Sequence, residues 1–216
     1  MNTHRKNTGT SGATEREPTV YVLDDDEDVQ NGVKAILESV GLRSRILSSP
    51  EELRREDIDT ANCLILDVRM PGVSGLEFQE ELARAGIEIP IVFLSGHGDV
   101  PMAVKAMKAG AIEFLSKPFR EQDLLDAVRA ALATDHKKRS RSEQLAQLKG
   151  RYESLSERER QVMRLVLAGL LNKQIGHELK LSEVTAKVHR AAMMRKLGVR
   201  NVADLAKLAC ALGIVA

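Results

Sequence analysis

Hydrophobic residues in the first 133 positions form short runs that alternate with segments of helical spacing. Predicted strands begin at Val20, Leu42, Cys63, Ile91 and Ile112. Each is followed by a segment whose apolar residues recur three and four positions apart, which is the spacing of one face of a helix. Five strands that alternate with five helical segments are typical of a parallel sheet covered by helices on both faces.

The last third of the chain predicts an all-helical module. A capping-box pattern at Leu155–Glu159 opens the first helix. Helical spacing then continues over Asn172–Leu179, from Glu183 to Leu197 and over Val202–Leu212. The short segment Lys180–Ser182 joins the second and third of these helices and fits a helix-turn-helix, although a generic helical bundle has the same spacing.

Charge divides the chain in the same way as the hydrophobic pattern. The net charge is only +1, but Pro18 to Thr134 carries 12 Lys and Arg against 21 Asp and Glu, a net of −9. From Asp135 to Ala216 there are 17 Lys and Arg against 8 Asp and Glu, a net of +9. An acidic half followed by a basic half predicts two domains, the second with a polyanionic partner.

These patterns together predict four segments. Residues 1–18 are polar and predict a disordered tail, 19–134 the α/β domain, 135–150 a charged, partly helical linker and 151–216 the helical domain. The basic residues of the linker are typical of a solvated face. No apolar run is long enough to cross a membrane, and the two widely separated thiols, Cys63 and Cys210, predict reduced core cysteines in a cytoplasmic protein.

Polar side chains follow four of the predicted strands at the point where each strand ends. Asp24 and Asp25 follow the first strand, Asp67 ends the third, Ser95 the fourth, and Lys117 follows the fifth. Carboxyl ends of parallel strands share one edge of a sheet, where open α/β sheets bind ligands. Three neighbouring carboxylates need a cation to stay ionised, and a set of oxygen ligands without Cys or His points to Mg²⁺.

The third helix of the second domain predicts one buried face and one unusual solvent face. The predicted core face comprises Ala186, His189, Met193 and Leu197. The opposite face comprises Val184, Lys187, Val188, Ala191 and Arg195. Valines and an alanine among basic residues fit a major groove, where apolar groups meet thymine methyls and cations meet guanine edges or phosphates. His189 is interpreted as a core histidine rather than as a base reader.

The strand-end residues and their neighbours closely resemble the receiver domain of two-component response regulators. The matching motifs are Leu23-Asp24-Asp25, Leu66-Asp67-Val68-Arg69-Met70-Pro71-Gly72-Val73-Ser74-Gly75, Leu94-Ser95-Gly96-His97 and Lys117-Pro118-Phe119. The resemblance implies a flavodoxin-like (βα)5 fold with strand order 2-1-3-4-5. It also implies that Asp67 accepts a phosphoryl group from a sensor histidine kinase. Mg²⁺ would be held by Asp24, Asp25, Asp67 and the backbone carbonyl of Arg69.

The same resemblance implies a switch. Lys117 would pair with a phosphoryl oxygen, and Ser95 would move toward the phosphorylated Asp67. The Lys117-Pro118 bond resembles the family's cis peptide, although Pro118 equally fits an ordinary helix-start proline. Phe114 would fill the space behind Ser95, although a core role alone also accounts for it. The surface changed in this way is Met102–Ala109, Ile112–Leu115 and Glu121–Ala133, on which this family forms homodimers.

The helical domain carries the motifs Leu155-Ser156-Glu157-Arg158-Glu159, Asn172-Lys173-Gln174-Ile175 and Val184-Thr185-Ala186-Lys187-Val188-His189-Arg190. With these motifs it resembles the LuxR/NarL-type DNA-binding domain, and the whole chain resembles a FixJ-like response regulator. Lys173 and Arg190 are interpreted as contacts to DNA phosphates. The resemblance implies a phosphorylation-controlled transcription factor that works with promoter DNA and RNA polymerase. It implies no enzyme beyond its own Mg²⁺-dependent phosphorylation and dephosphorylation. A haloacid-dehalogenase-type phosphatase is disfavoured because Arg69 occupies the position of its second acid. A lactone sensor or a phosphoryl shuttle fits the two halves less well.

Overall fold

The first part of the molecule is built on a five-stranded parallel sheet. The computed structural model describes residues 17–55, 58–96 and 100–214, so most of the predicted tail, residues 1–16, lies outside the described residues, as does His97. The strands are β1 (Thr19–Leu23), β2 (Arg43–Leu47), β3 (Ala61–Asp67), β4 (Ile91–Ser95) and β5 (Glu113–Ser116). Their order is β2-β1-β3-β4-β5, which confirms the flavodoxin-like topology.

Alternating residues of these strands feed two hydrophobic cores, one on each face of the sheet. Tyr21 and Leu23 of β1 point into the core that helices from the middle of this unit complete, whereas Val20 and Val22 point into the other. The helices are α1 (Glu27–Ser39), α2 (Pro50–Arg55), α3 (Gly75–Arg84), α4 (Val100–Lys108) and α5 (Glu121–Glu153). Helices α2, α3 and α4 cover the first face, and α1 and α5 cover the second.

Helix α5 differs from the predicted helix Glu121–Ala133 and the partly helical linker. It continues to Glu153 without a break, and Asp135, the first residue of the predicted linker, is only 4% exposed. The Asp135 carboxylate accepts a hydrogen bond of 2.7 Å from the side-chain amide of Asn62 at the start of β3. The chain divides into two compact units between Lys137 and Lys138.

The second unit contains four short helices around one core. They are α6 (Glu157–Leu167), α7 (Asn172–Leu179), α8 (Glu183–Leu197) and α9 (Val202–Ala211). Leu148 and Tyr152, from the last turns of α5, pack against this core. Arg151, which lies between them in the sequence, donates a hydrogen bond of 3.4 Å to the carbonyl of Leu197. The end of α5 is therefore part of the helical module.

The two cysteines lie in different environments. Cys63 is buried in β3, as predicted, and burial raises the pKa of its thiol far above the ordinary range. The prediction for Cys210 is wrong, because this residue is exposed on α9. Leu205, Leu208 and Ala209 form the buried face of that helix, and Cys210 lies off it. Among the described helices, none combines the length and apolarity needed to span a membrane.

Candidate functional site

The polar residues predicted at the strand ends meet at one edge of the sheet. Strand β3 lies between β1 and β4, with Leu23 paired to Leu66 and Asp67 paired to Leu94. Strand β5 continues the edge, with Ser95 paired to Ser116. Because all strands are parallel, the residues that end them are brought side by side.

Lys117 joins two buried carboxylates at this edge. Its ammonium lies 2.6 Å from Asp24 Oδ2 and 2.7 Å from Asp67 Oδ1. The side chains of Asp24 and Asp67 are only 1% and 6% exposed, and that of Lys117 is 19% exposed. A buried carboxylate is costly unless a charge or hydrogen bonds compensate it, and here one ammonium serves both.

Backbone amides hold the remaining carboxylate oxygens. The amide of Asp26 donates to Asp24 Oδ1 at 3.0 Å, and the amide of Arg69 donates to Asp67 Oδ2 at 2.6 Å. The side-chain amide of Gln30, which is buried on α1, donates to the backbone carbonyl of Asp24. Both carboxylates are thus held in fixed orientations at the sheet edge.

Burial and the neighbouring charges shift the pKa values of this cluster in opposite directions. Burial raises the pKa of Asp24, and the hydrogen bond from Lys117 offsets only part of that effect. Burial lowers the pKa of Lys117, but hydrogen bonds to Asp24 and Asp67 outweigh it and leave that pKa above its ordinary value. Lys117 therefore stays charged and balances one of the two negative charges that face it.

The other predicted receiver residues lie around this centre. Ser95 is buried at the end of β4, and Asp25 is exposed beside Asp24. Phe114 on β5 is partly buried, and its ring centroid lies 6.2 Å from that of Phe93. The Lys117–Pro118 peptide bond is cis. The structure brings Asp24, Asp67 and Lys117 into direct contact, whereas Asp25 stays at the solvent side.

Two residues near the site were given no role there by the sequence analysis, although Gly75 lies inside a matching motif. Gln30 shares the buried face of α1 with Val33 and Leu37, so its position in the hydrophobic pattern was the available signal. Gly75 opens α3, and a Cβ added there would lie 2.2 Å from the backbone carbonyl oxygen of Asp67. A glycine is therefore required for helix α3 to approach the end of β3 so closely.

The predicted DNA-contacting face of α8 is exposed. Val184 and Val188 are 72% and 61% exposed, and Lys187, Ala191 and Arg195 are exposed beside them. Opposite this face the predicted core residues Ala186, Met193 and Leu197 are buried, and His189 is partly buried. Two valines open to solvent on neighbouring turns, with basic residues beside them, fit the predicted contact surface.

The two residues interpreted as phosphate contacts differ in their surroundings. Lys173 is exposed at the start of α7. Arg190 is partly buried, and its guanidinium donates a hydrogen bond of 3.2 Å to the side-chain oxygen of Asn172. Arg190 therefore also ties α8 to the start of α7.

An ion pair between the exposed Lys196 and the buried Glu159 holds the other end of α8. Lys196 Nζ lies 2.7 Å from Glu159 Oε2, and this carboxylate also accepts from the amide of Ser156 in the capping box of α6. Burial raises the pKa of Glu159, but these hydrogen bonds outweigh it and leave the pKa below its ordinary value. Glu159 thus links the start of α6 to the end of α8.

Comparison with known proteins assigns both units. Residues 20–129 match the family model of the response regulator receiver domain, and residues 153–209 match that of bacterial regulatory proteins of the luxR family. The sheet edge with Asp67 lies inside the first match, and helices α7 and α8 lie inside the second.

Relatives match over nearly the whole chain. Nodulation protein W of Bradyrhizobium diazoefficiens is 47% identical over 96% of this chain and 93% of its own length. The transcriptional regulatory protein FixJ of Azorhizobium caulinodans is 37% identical over 90% of this chain and 93% of its own. The solved structure of the response regulator StyR is 47% identical, with a TM-score of 0.82 over 89% of this chain and 98% of that one. The chain belongs to the two-component response regulators that join a receiver domain to a LuxR-type DNA-binding helix-turn-helix domain.

Proposed function

We propose that this response regulator is switched by phosphorylation of Asp67 and that the phosphorylated form acts on promoter DNA as a homodimer. The observation that carries the proposal is the placement of Asp67 between a lysine ammonium and a backbone amide at the carboxyl edge of the sheet. This arrangement presents a carboxylate oxygen with a fixed direction and supplies positive charge beside it.

The transfer step uses residues of this chain on one side and a kinase phosphohistidine on the other. An oxygen of Asp67 forms the new bond to phosphorus, while the bond from phosphorus to the histidine nitrogen breaks and its electron pair stays on that nitrogen. Lys117, already 2.7 Å from Asp67, compensates charge on the phosphoryl oxygens. The hydroxyl of Ser95 at the neighbouring strand end donates to one of these oxygens.

The donor set at this edge fits Mg²⁺. Asp24, Asp25 and Asp67 provide hard oxygen ligands, and the single ammonium of Lys117 leaves these three carboxylates with an excess of negative charge. Together with the carbonyl of Arg69, they are the residues that would hold the ion. When bound, it supplies further charge neutralisation for the phosphoryl group. Within the described ranges no three acidic, His or Cys side chains are already grouped around a metal position.

The output of the switch is proposed to be dimerisation through α4, β5 and α5. Val100, Val104 and Met107 of α4 are 76%, 44% and 43% exposed, at a spacing that places them along one side of the helix. An exposed apolar stripe of this kind favours burial against a second copy. Rearrangement of Ser95 and Phe114 after phosphorylation would align this exposed surface for pairing with a second copy.

DNA binding is proposed to use the exposed face of α8. Val184, Val188 and Ala191 would meet base edges, with Lys187 and Arg195 on guanine edges or phosphates and Lys173 and Arg190 on the backbone. Two modules in a dimer would read a two-fold site and present RNA polymerase with a fixed assembly. The only chemistry proposed for the chain is its own phosphorylation and dephosphorylation.

Light scattering with beryllofluoride tests the switch. Full-length protein is measured with Mg²⁺ and beryllofluoride, which mimics an aspartyl phosphate, and Asp67→Asn is measured beside it. Asp28→Asn removes an exposed carboxylate from the start of α1 and serves as the matched control. We expect wild type and Asp28→Asn to shift from monomer to dimer and Asp67→Asn to stay unchanged. A wild type that does not shift while it binds DNA would overturn the dimer-based proposal.

A further inference from the structure

Lys180, in the turn of the helix-turn-helix, adopts a backbone conformation that lysine does not favour. It follows the last residue of α7 with φ 54° and ψ 47°, which is the left-handed helical region. Among the residues that the structure describes, it is the one non-glycine residue with positive φ. A side chain in this region costs stability because its Cβ approaches the backbone.

The rest of the chain shows what residue this position ordinarily takes. Helices α1, α3, α4, α6, α8 and α9 are all followed by a glycine with positive φ, namely Gly41, Gly86, Gly110, Gly169, Gly198 and Gly213. Glycine ends helices in this way because it has no Cβ. At α7, with the same kind of ending, the chain carries a lysine instead. Conformation alone therefore does not explain Lys180.

The backbone around Lys180 is held tightly. The amide of Leu181 donates to the carbonyl of Gly176 at 2.8 Å, and the amide of Lys180 donates to the carbonyl of His177 at 3.3 Å. A Cβ on Gly176 would lie 2.9 Å from the carbonyl oxygen of Leu181. The turn consequently holds the Cα of Lys180 in one place relative to α8.

The location of Lys180 points to a phosphate. It precedes Ser182, the N-cap of α8, by two residues, so it lies at the end of α8 whose first turn carries the exposed Val184. Recognition helices of this motif contact base edges with their N-terminal residues. The Lys180 side chain is exposed, and its ammonium makes no ion pair with any residue in the described part of the chain. With α8 in the major groove, a cation at this end would lie beside the DNA backbone.

We infer that Lys180 is a positioning residue for DNA: its ammonium binds a backbone phosphate beside the recognition helix, at the expense of a strained turn. The inference rests on the DNA-binding role of the helix-turn-helix and adds a residue to it. A phosphate contact sets the register of the helix in the groove and carries no base preference. The alternative is that the lysine stabilises the negative end of the α7 dipole.

Three variants of the full-length protein separate these roles. Lys180→Gln removes the charge but keeps a side chain in the strained backbone conformation, whereas Lys180→Gly removes both the charge and the strain. Lys149→Gln removes another exposed charge, on α5, whose last turns contact the opposite end of α8 through Arg151. The probes are a mixed-sequence duplex and a duplex selected by the wild-type protein from a random pool. Affinity is measured over a series of salt concentrations and unfolding temperature by calorimetry.

We expect Lys180→Gln and Lys180→Gly to weaken binding to both duplexes by about three- to tenfold at low salt. The slope of log affinity against log salt should fall in magnitude by about 0.9 for each bound module, and Lys149→Gln should leave it unchanged. Lys180→Gly should also raise the unfolding temperature of the helical module by about 2–5 °C. Wild-type affinity and salt slope in Lys180→Gln would overturn the inference, as would a lower unfolding temperature in Lys180→Gly. Failure of the wild type to bind any duplex would instead overturn the DNA-binding role itself.

Discussion

Lys117 is the residue on which the receiver site depends most directly. Its ammonium is the shared partner of two carboxylates that are almost fully buried, Asp24 and Asp67. Removal of one member of a buried charged cluster leaves the other members without compensation. The site can therefore be tested by stability as well as by phosphorylation.

We expect Lys117→Met to lower the free energy of unfolding of the receiver by about 3 kcal/mol. The free energy of unfolding falls because Asp24 and Asp67 repel one another and stay desolvated once the ammonium is gone. Urea unfolding in the absence of divalent ions measures the effect. Asp24→Asn on the Lys117→Met background should recover part of the loss, since a single buried carboxylate then remains. An unchanged midpoint in Lys117→Met would show that the bridge does not stabilise the folded receiver.

Glu159 gives the helical module a predictable response to acid. Because hydrogen bonds from Lys196 and Ser156 lower its pKa on folding, the stability it contributes is complete above the pKa of an unfolded glutamate, about 4.3. That contribution is lost as the pH falls through the lower pKa of the folded state. We expect Glu159→Gln to cost about 1 kcal/mol at neutral pH. Denaturation at a series of pH values should show this difference shrinking in acid, while exposed Glu157→Gln stays close to wild type throughout.

At the scale of elements, the start of α3 lies close against the backbone at the end of β3. A methyl group at Gly75 would meet the carbonyl oxygen of Asp67, which is backbone and has little room to move. We expect Gly75→Ala to destabilise the receiver by about 3 kcal/mol through overpacking. Gly32→Ala is the matched control, because a Cβ there meets nothing within 4 Å in the middle of α1. That variant should stabilise the chain by about 0.5–1 kcal/mol, and urea midpoints compare the two.

Elements with a strong hydrophobic period were the most predictable from sequence. Strands such as β3, with Leu64, Ile65 and Leu66 in succession, are buried on both faces and have no competing interpretation. Helix α7 occurs at Asn172–Leu179 as predicted. The length of α5 was not predicted, because the residues after Ala133 carry few apolar side chains and a periodic signal is missing there. Their Lys, Arg, Gln and Ala content nevertheless suits a helix.

The residues that form the candidate site could be predicted from the sequence, but the contacts between their side chains could not. Strand ends predicted that Asp24, Asp67 and Lys117 share one edge, since parallel topology brings distant segments together. The side-chain bridge joins atoms 93 residues apart in the chain, and its geometry depends on packing that no local pattern encodes. The strained turn at Lys180 was hidden for a related reason, because the residue type gives no signal for positive φ.

At the scale of the whole molecule, the two halves carry opposite charge and separate roles. The basic half binds a polyanion, so its affinity for DNA should fall steeply with added salt. Phosphoryl transfer to Asp67 should respond less, because the charges at that site are buried and screened little by ions. Measuring DNA affinity and the rate of phosphorylation by acetyl phosphate over the same salt series checks this contrast. Equal sensitivity of the two would contradict it.

The last turns of α5 determine where the DNA-binding module can be joined to another protein in a chimaera. The luxR-type match begins at residue 153, yet Leu148 and Tyr152 complete the helical core and Arg151 reaches α8. A crossover at residue 153 in a chimaera would therefore exchange an incomplete module, whereas one at residue 138 carries these side chains along. We expect chimaeras joined at 138 to retain DNA binding and those joined at 153 to unfold at a lower temperature. In evolutionary terms, the segment that must be inherited together for DNA recognition is longer than the segment that matches the luxR-type family.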